Sequence, residues 1–226
     1  MQHGLTGWGA CVGATLVVAL TGCGSIPGNK PVPEPKDGPL ARVRVVTSST
    51  YGTNVNVRGY PGRDCAEGLS GGGNILNLAS ITALVASRTG QTIGMPVSDK
   101  TGADYKTTEI TVAGGQPLAL SLEGWWGGEE YYVGLLKYKK PVETCSRAVS
   151  FVPKAGADYE VFFDGTAGPD CRVLGSQLVG KTAGSNRAAH TEVVELTPTT
   201  LCKGLPTKTG LLPSPYDRPN GIPTAQ

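Results

Sequence analysis

The residues of this chain that could do chemistry are few. They are six cysteines, a group of acids set among aromatic rings, and one histidine beyond the first turns of the chain. Glu123 and the pair Glu129 and Glu130 lie around Trp125 and Trp126 and next to Tyr131 and Tyr132. Two acids beside stacking rings are what cleavage of a glycosidic bond requires, one on each side of the bond. The competing expectation is structural: one tryptophan packs in the core and the glycine-rich turn bends a hairpin. In either case Trp125, Trp126, Tyr131 and Tyr132 are the candidates for contact with a ligand or partner, because aromatic side chains on loops anchor binding surfaces. His190 stands without a GxSxG serine or an HExxH partner, so neither a nucleophilic triad nor a histidine-bound zinc is expected. Gly71, Gly72 and Gly73 lack the lysine of a phosphate-binding loop and read as a flexible loop. Asp164 and Asp170 flank a Gly-Thr-Ala-Gly-Pro turn without EF-hand spacing, and a solvated turn is expected there rather than a calcium loop. No catalytic residue, metal or cofactor is assigned, and the chain is expected to be a binding or structural module rather than an enzyme.

The elements that must hold these residues are strands. Val43 and Val45 alternate with Arg42 and Arg44, and Val55 and Val57 with Asn54, Asn56 and Arg58. The same period recurs over 108–112, at Leu118, Leu120 and Leu122, at Val149 and Phe151, at Tyr159, Val161 and Phe163, and over 171–179 and 190–196. Period-two alternation marks strands with one buried and one wet face. Turn chemistry separates them, as at Tyr60-Pro61-Gly62 and Gly114-Gly115-Gln116-Pro117. Seven or more such strands predict an all-β chain folded as a single antiparallel β-sandwich of immunoglobulin or transthyretin type, filling 40–202. Over 77–87, Leu78, Ile81, Leu84 and Val85 follow helical spacing, while the neighbouring 74–78 also reads as strand, so one short helix is an alternative there. Glycine at 33 residues and proline at 17 suit a turn-rich fold. Charge is nearly balanced, at 20 basic against 18 acidic residues, which argues against nucleic acid as the main partner.

Four cysteines, Cys65, Cys145, Cys171 and Cys202, fall inside this body. Their wide spacing contains no CxxC, so two disulfides are expected rather than a metal site. Three pairings are open. A strand leaving Cys171, turning near Gly184 and returning to Cys202 would bring both ends to one edge. That favours Cys171 with Cys202 and leaves Cys65 with Cys145.

Residues 1–22 contain no Asp, Glu, Lys or Arg, and 10–20 form an apolar run too short to span a bilayer. This suits the apolar region of a signal peptide. The run ends in Leu20-Thr21-Gly22-Cys23. The tetrapeptide resembles the lipobox of bacterial lipoproteins. That resemblance implies cleavage after Gly22, diacylglycerol on the Cys23 sulfur and an acylated new amino terminus. Residue 24 is Gly rather than Asp, which by the same analogy implies the outer membrane. Two or three acyl chains suffice for stable anchoring. Five prolines in 24–39 predict an extended spacer between anchor and body, and 203–226 reads as a disordered tail. The body, over 145–171 with Gly94-Met95-Pro96 and Gly115-Gln116-Pro117, is similar to small uncharacterised proteobacterial envelope lipoproteins, a family that brings no activity with it. The partners this implies are the membrane, through Cys23, and an envelope protein or glycan; a glycan-acting enzyme or a subunit of an envelope or secretion assembly are the alternatives.

Overall fold

The computed structural model describes residues 30–48, 54–66, 72–78, 87–127, 130–164, 171–200 and 202, with only the backbone of Trp126. The signal segment, Cys23, Glu129, Asp170, residues 79–86 and the 203–226 tail lie outside them. Among the described residues the chain is all-β. Its strands are β1 (Leu40–Ser48), β2 (Asn54–Pro61), β3 (Gly73–Asn77), β4 (Tyr105–Ala113), β5 (Leu118–Gly127), β6 (Glu130–Val133), β7 (Leu136–Lys139), β8 (Val142–Phe151), β9 (Asp158–Asp164), β10 (Arg172–Val179), β11 (His190–Val194) and β12 (Thr197–Pro198).

Two five-stranded sheets form, ordered β11-β10-β9-β1-β4 and β12-β8-β5-β2-β3. Their facing sides supply one core. Val43, Val45, Ile110, Val112, Tyr159, Val161 and Phe163 come from the first sheet. Val55, Val57, Leu76, Leu118, Leu120, Leu122, Val149 and Phe151 come from the second. This is a β-sandwich, and the alternating positions are those that fill it. One pair departs from the expected antiparallel pattern: β1 runs parallel to β9, with Arg42 opposite Asp158 and Arg44 opposite Glu160. Parallel neighbours need a long crossover, and here most of the second sheet lies in sequence between them.

The wet-face expectation fails for β1. Arg44 and Glu109 are 3% and 4% exposed, and Glu160 is 1% exposed. A strap over 87–104 crosses the outer side of the first sheet and covers them. Glu109 Oε1 accepts from Arg44 Nη2 at 2.6 Å, while its Oε2 accepts the Ile93 and Met95 amides at 2.6 and 3.2 Å. Arg44 Nη1 and Ser98 Oγ both donate to Glu160 Oε2, and Lys100 Nζ lies 3.6 Å from Glu160 Oε1. At its far end the strap pairs Val97 with Arg187, and Asp99 meets the Arg187 guanidinium at 2.6 Å.

The spacer expectation also needs correction at its carboxyl end. Pro31 bridges to Asn74, Val32 N donates to Asn74 O at 3.0 Å, and the Val32 side chain is fully buried in the core. Gln91 and Arg88 hold this segment from above, through Glu34 and the Val32 carbonyl. Residues 30–39 are therefore held by the body, which does not begin at 40. Gly73, expected in a flexible loop, instead opens β3, where a Cβ would strike the Val32 backbone.

The cysteines pair as Cys65 with Cys202 and Cys145 with Cys171, Cα atoms 5.0 and 6.1 Å apart. The favoured Cys171–Cys202 pairing is wrong for a topological reason. β11 does return along β10, but the chain then crosses to the second sheet, where β12 pairs with β8. That carries Cys202 to the 62–66 segment, and its amide donates to Ala66 O at 2.9 Å. Cys145, inward on β8, is left facing Cys171 across the sandwich.

Candidate binding surface

The aromatic and acidic residues singled out in the sequence lie on one protruding ribbon. β5 and β8 pair from Leu118 opposite Phe151 to Gly127 opposite Val142. β6 and β7 continue in the same register, with Glu130 opposite Lys139 and Val133 opposite Leu136. Gly127 has φ 86°, a conformation that costs glycine nothing, and it marks where the sandwich ends and the ribbon goes on alone. Among the described residues, all of 130–141 is exposed.

The free part of the ribbon is two-sided. Tyr131, Tyr138, Val133 and Leu136 share one side, because paired residues and their second neighbours do. The Tyr131 and Tyr138 rings stack, centroids 5.5 Å apart and 22° between planes. Tyr132, Lys137, Glu130 and Lys139 share the other side, and Lys137 Nζ meets Glu130 Oε2 at 2.7 Å. The turn between them is apolar, with Leu135 100% exposed.

At the root of the ribbon lies a different environment. Trp125 sits opposite Asn54 and Thr144, half-buried, and Glu123 sits opposite Asn56 and Ser146. Both point away from the core, since Leu118, Leu120 and Leu122 point into it. Burial pushes the Glu123 carboxyl above the ordinary carboxylate range, against the opposing pull of the Arg58 guanidinium. Glu123 Oε1 and Asn56 Oδ1 are buried acceptors that find no donor among the described residues. A proton held on Glu123, or a ligand hydroxyl, would satisfy them.

The structure thus brings Glu123 and Trp125 together on one face and assigns Glu130 to the other side of the ribbon, since the register does not change between them. Glu123 and Glu130 do not flank a common site. Of the remaining sequence candidates, His190 is exposed and lies 3.3 Å from Glu192 Oε1. Asp164 is engaged by Arg172 at 3.2 Å. Among the described residues no cluster of three or more His, Cys, Asp or Glu could hold a metal ion. What the sequence did not reveal is the apolar turn: Tyr131 to Leu136 reads as one short apolar run without period, and only the ribbon carries Val133, Leu135 and Leu136 clear of the core.

No family model and no curated protein matches this chain.

Proposed function

We propose that this chain is an exported lipoprotein, acylated on Cys23, whose body is a non-enzymatic binding module of the cell envelope. The leader with its Leu20-Thr21-Gly22-Cys23 sequence supports the anchor. The two disulfides accord with an oxidising compartment. The observation that carries the binding reading is the ribbon of β6 and β7. Its tyrosines and apolar turn are exposed while the sandwich core is closed, and exposed apolar patches of this kind mark interaction sites. Trp125, Trp126, Tyr131 and Tyr132 are the contact residues of this reading. A glycan contact at the ribbon's root is the second reading. It is favoured by the two acceptors of Glu123 and Asn56 beside Trp125.

Metabolic labelling with a palmitate analogue in bacteria expressing the full chain tests the anchor. Label is expected on the chain and is expected to vanish with Cys23→Ser. A Cys23→Ser chain that keeps the label and the same mass overturns the anchor. Crosslinking in native membranes with a Tyr131→Ala/Tyr132→Ala variant tests the surface; unchanged crosslinks overturn it.

A further inference from the structure

We propose that the open edge of β11 seats a second copy of this chain, the two strands pairing antiparallel about Thr191 so that the first sheet runs on from one molecule into the other. This goes beyond the binding reading above and rests neither on the ribbon nor on the Cys23 anchor.

The two large sheets end in four edge strands, β11 and β4 in the first, β12 and β3 in the second. A bare edge presents a row of unpaired N–H and C=O groups and is a template for another strand. Three of the four are guarded. On β4 the Glu109 amide donates to Gln91 O of the strap at 2.8 Å. On β3, Asn74 bonds through both its backbone groups to Lys30 and Val32. β12 is two residues long, and one of them, Pro198, has no amide to offer. β11 has none of these devices. Its five residues, His190 to Val194, include no proline, lysine or glycine. Its register on β10 runs without a shift from His190 opposite Val179 to Val194 opposite Gly175. Outside that ladder no backbone hydrogen bond reaches these five among the described residues. Bare apolar surface lies beside the edge. Val193 is 94% exposed and Leu174 52%. They share one face, since Val193 stands opposite Ser176, the second neighbour of Leu174.

The strand is complementary to itself. Outward backbone groups recur on every second residue, so an antiparallel twin meets them only where the two-fold axis passes through a residue. An axis through His190 or Val194 leaves the two strands almost without overlap, which leaves the three inner residues. About Glu192, the two Glu192 carboxylates stand opposite each other, and like charges there are unfavourable. About Val193, each Glu192 faces an apolar Val194. About Thr191, each His190 faces Glu192 of the second copy, a ring donor against a carboxylate, once on either side of the axis. Each Val193 then lies against Ala189 of the second copy. In its own chain His190 Nε2 already reaches Glu192 Oε1 at 3.3 Å, across the roughly 6.6 Å that separates second neighbours on a strand. Directly opposite residues are closer, with Cβ atoms about 4.5–5.5 Å apart, so a twin strand offers the same pairing at shorter range. A two-fold contact also closes two open edges at once, whereas a foreign strand closes one.

The test is cysteine crosslinking of the full chain in intact bacteria, with copper phenanthroline as oxidant and gels run without reductant. Thr191 is exposed and lies on the axis. Two Thr191→Cys residues therefore stand opposite, within the roughly 4.4–6.8 Å between Cα atoms that a disulfide spans. A dimer at twice the chain's mass is expected. Val193→Cys falls four residues from its twin, about 13 Å away, and is expected to give little. In the Thr191→Cys chain, Glu192→Lys sets a cation opposite His190 at both pairs and is expected to slow the crosslink about ten-fold. Adding His190→Glu, which faces the new lysine, is expected to restore it. These side chains are exposed, so the variants are expected to keep the Cys65–Cys202 and Cys145–Cys171 bridges, which peptide mapping checks. Absence of a dimer from Thr191→Cys overturns the proposal, and so does crosslinking of that residue to other proteins alone. A stronger dimer from Val193→Cys or Glu192→Cys overturns the register and the pairing of His190 with Glu192. Equal dimers from all three positions report random collision and overturn the proposal as well.

Discussion

Two glutamates on opposite outer faces of the sandwich show how differently burial can act on one functional group. At Glu109 burial alone would raise the carboxyl's pKa, but the Ile93 and Met95 amides and the Arg44 guanidinium outweigh it and hold it below the ordinary range. At Glu123 burial wins over Arg58 and raises it. The linkage signs are therefore opposite. Glu109 adds stability that is present above its unfolded value of 4.5 and is lost as pH falls through its lowered folded value. Glu123 favours the fold most at low pH, and that contribution is lost as pH rises from 4.5 through its raised folded value. Urea titrations of Glu109→Ala and Glu123→Gln between pH 3 and 8 should separate them. Removing Glu109 leaves Arg44 in a buried network and should cost about 3 kcal/mol at pH 7, less in acid. Glu123→Gln should be more stable than the parent at pH 8 and gain nothing at pH 4. A gain independent of pH would show that Glu123 is not titrating in this window. None of this was legible in the sequence. Arg44, Glu109 and Glu160 alternate with valine, tyrosine and isoleucine as surface residues do, and only the strap makes them interior.

At the level of elements the sequence was more informative. Strict alternation found β1, β2, β4, β9 and β10, because one face of each packs against the opposite sheet and selects apolar side chains. It missed β6 and β7, where no core selects anything: Tyr131, Tyr132, Val133 and Leu136 run without period because both sides of the ribbon are exposed. It also missed β12, only two residues long, and with it the crossing that decides the disulfides. The two bridges tie different things. Cys145–Cys171 joins β8 of one sheet to the entrance of β10 in the other across a separation of 26 residues. Cys65–Cys202 closes 137 residues, tying the segment after β12 back to the segment after β2. Loop entropy puts the first at about 3.5 kcal/mol and the second at about 5 kcal/mol. Paired replacement by alanine should therefore cost more for Cys65/Cys202 than for Cys145/Cys171 in equilibrium unfolding. Peptide mapping of the oxidised parent should recover only these two linkages. The reverse order of stabilities would mean that native packing at the Cys145 site, not chain entropy, sets the contribution.

At the scale of the whole molecule, the described segments that flank the strands are stitched into the sandwich, and this bears on which residues the folded unit needs. Proline content over 24–39 is that of a spacer, yet Lys30 to Val32 lies alongside β3 and Val32 fills a hole between Ile75 and Gly59. Composition could not disclose this, since one valine among prolines carries the contact and Gly73 makes room for it from more than forty residues away in sequence. A chain begun at residue 40 and one begun at residue 30 should thus differ although both contain every strand. The shorter chain exposes Ile75 and leaves Asn74 N and O without their partners at Lys30 and Val32. Burial of one valine is worth about 1.5–3 kcal/mol, and each backbone hydrogen bond adds about 1 kcal/mol, less the entropy of ordering the segment. A net loss of roughly 2–3 kcal/mol is expected, read as a lower urea midpoint with little change in slope. Val32→Ala in the longer chain should lose about 1–2 kcal/mol of it. Identical midpoints for the two chains would return residues 30–39 to the spacer.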